Sequence, residues 1–301
     1  MYYQLKDKIE RKEARIGVIG LGYVGVPNAI YYASRGYPVC GFEIDSLRAS
    51  LLRSGKSYIE DISNEQAQAF IEENRVVETF ESVAEQEVSI IDVPTPITSD
   101  KQPNLSYIQQ AVRSLLPFIH PGQVIILEST SYLGPTRDYL VQPLEQKGFV
   151  IGEDLFIAFS PERVDPGNPT FEVRNTPKLV GGATQKYATL ARSVIGEQAV
   201  PVRSMEIAEL AKVYENTFRF ININLANELH SICYLLGIDP YYLKWCANQM
   251  NVEVPLIDAA SQMEARTMDR LVQEALRLLS RCPVPLSEAQ VALLELDYKK
   301  A

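Results

Sequence analysis

Residues 20–25 read Gly20-Leu21-Gly22-Tyr23-Val24-Gly25. They follow a short β-branched run, residues 15–19, and precede a helical stretch, residues 26–33. A Gly-x-Gly-x-x-Gly between a strand and a helix admits few folds. The first glycine makes the tight turn, the second lets a pyrophosphate approach the backbone, and the third lets helix and strand pack closely. The amides at the helix N-terminus then face the phosphates. A second strand, residues 37–44, carries an acid near its end, Glu43, eighteen residues after Gly25. An acid there binds adenosine ribose hydroxyls and repels a 2′-phosphate, so NAD is expected rather than NADP. Arg48 pulls weakly the other way. The expected cofactor contacts are Gly20, Gly22, Tyr23, Val24, Gly25, Glu43 and Arg48, with Pro94, Thr95 and Thr130 from later strand ends.

The pattern continues past this unit. Apolar runs at residues 88–93, 123–128, 155–160 and 178–182 read as strands, because they are too apolar to alternate and suit a sheet buried on both faces. Residues 45–54, 64–74, 106–119 and 136–147 read as helices between them. The βα alternation to about Val202 predicts an α/β fold with an N-terminal Rossmann-like, doubly wound parallel sheet. The character changes at Ser204. Residues 205–236 contain no proline and carry apolar side chains at helical intervals, which predicts one long helix ending near Gly237. Helices near 240–250 and 254–280 and a terminal strand-like run at 291–296 are expected beyond it. The predicted domains are 1–203 for cofactor binding and 204–301, helical, for dimerisation and substrate.

Charge and cysteine usage narrow the function. The net charge of −9 argues against a nucleic-acid backbone as partner. Cys40, Cys233, Cys246 and Cys282 form no CxxC pair, so no metal site or disulfide scaffold is expected. No stretch is apolar enough to span a membrane, and residues 1–15 lack the apolar core of a signal peptide. A cytoplasmic protein with a small-molecule substrate is expected. The long helix has apolar positions around much of its surface, which one domain cannot easily bury, so a homodimer through that helix is expected.

Five segments carry a family resemblance: IGVIGLGYVGVP (16–27), DVPTP (92–96), LEST (127–130), FSPERVDPGN (159–168) and ELAKVYENTFRFININLANEL (209–229). In that order and spacing they resemble the nucleotide-sugar 6-dehydrogenases, especially those acting on UDP-N-acetylhexosamines. The resemblance implies oxidation of a sugar C6 alcohol by two NAD molecules through a cysteine thioester. It implies two Rossmann-like domains joined by a long helix that forms the dimer core. Thr130 matches a threonine that helps hold the active-site water, and Glu162 matches the acid/base glutamate. Lys212 and Asn216 match a lysine and asparagine that stabilise an oxyanion. Being four apart, they project from one helix face, as an electrophilic clamp requires.

Two departures limit what the resemblance implies. The family carries its nucleophile in a Gly-Gly-x-Cys loop after the long helix. Here Leu236-Gly237-Ile238-Asp239 runs straight into Pro240-Tyr241-Tyr242-Leu243, which in the family lies beyond that cysteine. Asp239 fits either of two family aspartates, one ending the long helix and one that partners the lysine. None of the four cysteines stands in the nucleophile context. The chain also stops after residues 291–301, which resemble the first strand of the family's nucleotide-gripping domain; a truncated fragment is a further reading, although truncation does not account for an internal loss. Asp92 replaces an apolar residue or cysteine, and Leu133-Gly134-Pro135 replaces Pro-Gly-Thr. Without a thiol there is no acyl-enzyme, and one two-electron hydride transfer remains. The expected function is NAD-dependent alcohol oxidation or carbonyl or imine reduction on a sugar-derived substrate. The alternative is an inactive NAD-binding subunit that regulates or scaffolds a partner.

Overall fold

A computed structural model describes residues 1–130, 132–163 and 173–236, together with Tyr242, Trp245 and Gln249. Asp239, Cys246, Cys282, most of the helices expected at 240–280 and the strand expected at 291–296 lie outside the described residues. The chain packs as two compact units, Met1–Glu215 and Asn216–Ala301.

The first unit is built on one sheet of eight strands: β1 (Ile16–Ile19), β2 (Val39–Phe42), β3 (Arg75–Val77), β4 (Val88–Ile91), β5 (Val124–Leu127), β6 (Phe156–Phe159), β7 (Lys178–Gly182) and β8 (Ala199–Val202). Their spatial order is β3-β2-β1-β4-β5-β6-β7-β8. The order reverses between β1 and β4, which pair in parallel with Ile19 opposite Ile91. This is the topological switch point, where doubly wound sheets open a crevice at the carboxyl ends of their strands.

The apolar runs do not alternate in hydropathy because both faces are covered. Ile16 and Val18 of β1, Val124 and Ile126 of β5, and Phe156 and Ala158 of β6 face one core. That core is covered by α1 (Tyr2–Glu10), α2 (Gly25–Ser34), α3 (Ser46–Arg53), α4 (Asn64–Glu73) and α7 (Gln185–Ile195). Ile19, Ile91, Ile125, Leu127, Ile157 and Phe159 face the other, under α5 (Ser106–Leu115), α6 (Gln142–Gln146) and the first turn of α8 (Met205–Leu236).

One pairing departs from the otherwise parallel sheet. β7 runs antiparallel to β6, pairing Ala158 with Gly182 and Phe159 with Gly181. The two strands therefore run in opposite directions, with the start of β7 beside the end of β6. This reversal puts Lys178 at the carboxyl ends of β4–β6. Two helices are also shorter than expected. α5 ends at Leu115, just before Pro117, and residues 136–147 divide into a π-helical segment, Arg137–Val141, and α6, whose second residue is Pro143. Proline lacks the amide that a continuous α-helix would use there. Sequence patterning missed α1, β3, α7 and β8, of which β3 has only three residues and one buried.

α8 is one unbroken helix of 32 residues, as its composition predicted. Leu210, Tyr214, Phe218, Ile221 and Leu225 recur at intervals of three and four along it, and all are more than half exposed. No described helix is long and apolar enough to cross a membrane.

Candidate active site

The glycine loop is shaped by what it excludes. Gly20 has φ of +92°, and a Cβ on it would lie 2.8 Å from the Asp92 carbonyl oxygen. A Cβ on Gly25 would overlap the Gly20 carbonyl, so the third glycine is what lets α2 start against the loop. Gly22 meets open space, and no side chain caps the N-terminus of α2. An open backbone face beside an uncapped helix start fits a pyrophosphate. Tyr23 is exposed, and Val24 sits at the N-cap.

Glu43 follows β2 and is 6% exposed. Its carboxylate accepts from the Leu21 amide at 3.2 Å and from the Asp45 amide at 3.0 Å. The Tyr58 hydroxyl donates to the Leu21 carbonyl at 2.5 Å, and burial with the neighbouring Glu43 carboxylate pushes that phenol up. Glu43 thus braces the loop from the end of β2. Arg48, one turn into α3, is half exposed, 3.8 Å from Asp45 and stacked over the Tyr58 ring. Pro94 and Thr95 follow β4 at the surface. Thr130 follows β5, after Ser129, whose hydroxyl donates to the Ile91 carbonyl at 3.2 Å.

Beyond the switch point the site is made of charge. Glu162, 9% exposed, follows β6. One carboxylate oxygen accepts from Lys178 Nζ at 2.8 Å, and the other from the Arg163 amide at 2.7 Å. Lys178 is 1% exposed and also donates to Glu128 at 2.5 Å. Burial would push the ammonium down, but Glu128 and Glu162 outweigh it and hold it above its ordinary value. Asn28 of α2 donates to Asp92 and to Glu128, each at 2.9 Å. This chain of contacts, Asp92–Asn28–Glu128–Lys178–Glu162, was not foreseen. Asp92 was noticed only as a departure. A lysine opening an otherwise apolar strand and an asparagine inside an apolar helix were the available signals.

Two ties set α8 against this edge. Arg163 binds Glu215 through Nε at 3.0 Å and Nη2 at 2.6 Å, a planar fork on a carboxylate. Glu215 is 3.9 Å from Lys212, whose side chain is 12% exposed. The segment carrying Glu162 is therefore registered on the helical turn that carries Lys212. The buried Glu209 carboxylate accepts from the amides of Gly134 and Thr136 at 2.7 and 3.1 Å and from the Thr136 hydroxyl at 2.5 Å. It caps the helical segment that follows Leu133-Gly134-Pro135. Asn216 comes one turn after Lys212 and opens the second unit.

Cys40 and Cys233 are buried thiols. Burial pushes Cys40 up to about 11, which leaves it protonated and poorly nucleophilic. Among the described residues no cluster of His, Cys, Asp and Glu has the geometry to hold a metal ion.

Residues 14–200 match the NAD binding domain of the UDP-glucose/GDP-mannose dehydrogenase family, and residues 206–241 match its central domain. The UDP-N-acetyl-D-glucosamine 6-dehydrogenase of Pseudomonas aeruginosa is 30% identical, over 96% of this chain and 76% of its own length. The UDP-N-acetyl-D-mannosamine dehydrogenase of Pyrococcus horikoshii is 31% identical, over 95% and 76%. The Pseudomonas alignment runs over 326 residues, more than the 301 of this chain, so that relative carries residues inside the aligned span that this chain lacks. The native structure of the UDP-N-acetyl-mannosamine dehydrogenase Cap5O from Staphylococcus aureus superposes with a TM-score of 0.70 at 33% identity. It covers 78% of this chain, which spans 58% of Cap5O; against the Salmonella typhi UDP-N-acetyl-D-glucosamine 6-dehydrogenase the chain spans 54%. The chain belongs to the UDP-glucose/GDP-mannose dehydrogenase family, and residues 14–200 are its NAD-binding domain.

Proposed function

We propose that this chain is an NAD-dependent oxidoreductase that carries out one two-electron step on a sugar-derived alcohol, carbonyl or imine, with no thioester. The observation that carries the proposal is the Arg163–Glu215–Lys212 tie, which fixes Glu162 and Lys212 in register at the carboxyl edge of the sheet. When bound at the glycine loop, NAD supplies the hydride acceptor. Glu162 takes the hydroxyl proton during oxidation and returns it during reduction. Lys212 and Asn216 donate to the substrate oxygen as negative charge builds on it. Thr130 orders the adjoining water. The residues that the Pseudomonas relative carries and this chain lacks support loss of the nucleophile loop after α8.

The division into residues 1–203 for cofactor and 204–301 for dimer and substrate follows the interval between the two family matches. A homodimer accounts for the exposed stripe on α8, since a second copy would cover Leu210, Tyr214, Phe218, Ile221 and Leu225. Sedimentation velocity at micromolar concentration then gives a dimer; a monomer rejects this part of the proposal.

A second reading rests on Glu162 itself. Both of its oxygens are engaged, and a carboxylate so held suits an inactive NAD-binding scaffold as well as a catalyst. The deciding experiment measures NADH formation and consumption against a panel of sugar alcohols, aldehydes and imines, with and without Lys212→Ala. Turnover that falls at least a hundredfold in the variant supports the enzyme. NAD binding with no turnover on any substrate class supports the scaffold.

A further inference from the structure

Asp92, Asn28 and Glu128 are 5%, 0% and 1% exposed, and each carries a polar atom that makes no hydrogen bond: Asp92 Oδ1, Asn28 Oδ1 and Glu128 Oε1. All three orphans are acceptors. Asn28 Nδ2 spends both of its hydrogens on the two carboxylates, and Lys178 Nζ donates to Glu128 and Glu162. With every acid ionised, three carboxylates would face one ammonium away from water. Three orphan acceptors and an excess of two negative charges both call for a proton.

We propose that Asp92 is held as a neutral carboxylic acid, and that its proton tunes the buried cluster against which Glu162 exchanges protons with substrate. Asp92 is then a positioning residue, acting on Glu162 through Glu128 and Lys178; this last step rests on the acid/base role proposed for Glu162. A proton on Asp92 supplies the missing donor and leaves the cluster one negative charge in excess. When Glu162 accepts a hydroxyl proton, that excess falls to zero, so the substrate proton enters a site that ends neutral. The O–H electron pair becomes the second bond of the new carbonyl as hydride leaves carbon.

The groups that face Asp92 agree on the direction. Burial raises its carboxyl well above the ordinary range, and the Glu128 and Glu162 charges add to that, against the Asn28 hydrogen bond and the Lys178 charge. Tyr32 on α2 is buried beside the same acids; burial, then Glu128 and Asp92, raise its phenol, so it stays a neutral neighbour. Glu128 is raised mainly by burial, against Lys178.

The test is infrared spectroscopy of the full chain without substrate, titrated in pH. The C=O stretch of a protonated carboxylic acid is expected to persist at neutral pH and above and to vanish in Asp92→Asn. Asp92 is the one buried aspartate among the described residues. If Asp92→Asn fails to fold, ¹³C-aspartate labelling of the unaltered chain must shift the band. A band absent at neutral pH, or unmoved by both treatments, overturns the proposal. Glu162→Gln removes a charge that raises Asp92, so the midpoint at which the band disappears should move to lower pH. An unmoved midpoint overturns the coupling to Glu162. Absence of turnover would defeat the enzymatic reading and leave these spectra interpretable.

Discussion

Two regions share the carboxyl edge of this sheet, on either side of the β1–β4 switch point, and they are built by opposite means. The glycine loop works by exclusion: Gly20 and Gly25 leave no room for side chains, and no side chain caps the helix start that follows. The Asp92–Glu162 cluster works by inclusion of charged side chains from α2, β7 and the ends of β4, β5 and β6, none of them near in sequence. The loop is a local motif that fixes which cofactor binds. The cluster is a tertiary object that fixes the buried charge at that edge. A backbone site tolerates changes nearby but not at its glycines, whereas a buried charge site depends on every partner at once.

The sharpest way to break the comparison is Lys178→Met. It strands Glu128 and Glu162 as buried anions, and losing one partner of a buried pair costs about 3–5 kcal/mol. Urea unfolding should show that loss. Adding Glu128→Gln and Glu162→Gln to the same chain should return most of it, because the penalty comes from uncompensated charge. A triple variant no more stable than Lys178→Met would mean that lysine packing, not charge, holds this edge.

Gly25→Ala probes the other region. Its Cβ would overlap the Gly20 carbonyl, so α2 and the loop must part. Overpacking of this kind costs about 1–3 kcal/mol of stability. NAD affinity should fall at least about tenfold, or roughly 1.4 kcal/mol, because amides at an uncapped helix start are what would meet the pyrophosphate. Fluorescence titration measures it; wild-type affinity would show that the loop is not where the cofactor's phosphates rest.

Asp92→Asn sharpens the comparison through pH. The Asp92 carboxyl lies higher in the folded chain than in the unfolded one, so the folded state binds more protons between the two values. Its contribution is fully present below the unfolded carboxylate range and is lost as pH rises through the folded value. Asparagine removes this dependence. The variant should therefore gain on the parent as pH rises, by about 1.4 kcal/mol for each pK unit of elevation. Parallel melting curves from pH 5 to 9 would show instead that Asp92 titrates normally.

The two regions also differ in how far the sequence revealed them. The loop was legible because strand, glycine spacing and helix are contiguous, and because Glu43 ends the very next strand. Lys212 and Glu162 were legible by resemblance. Asn28, Glu128 and Lys178 were not, since each looks isolated in its own segment: Asn28 meets Asp92 and Glu128 only across the fold, and Lys178 joins them only when β7 reverses against β6. That reversal was hidden too, because a buried strand reads the same in either direction. α1 escaped for a related reason: only Leu5 and Ile9 of its nine residues are buried, too few for a visible apolar face.

The smallest expected effect belongs to Arg48, at the outer margin of the loop region. Its guanidinium is half exposed and 3.8 Å from the Asp45 carboxylate. An exposed pair of this kind contributes about 0–1 kcal/mol, so Arg48→Ala should leave the unfolding midpoint nearly unchanged. Its charge still lies in the first turn of α3, five residues after Glu43. Removing it should lower residual NADP affinity by no more than about fivefold, the equivalent of 1 kcal/mol, and this difference should shrink as salt is added. NAD carries no phosphate there, and its affinity should stay within about twofold. A larger loss of NAD than of NADP would place the arginine on the pyrophosphate and move the cofactor's adenosine end away from Glu43.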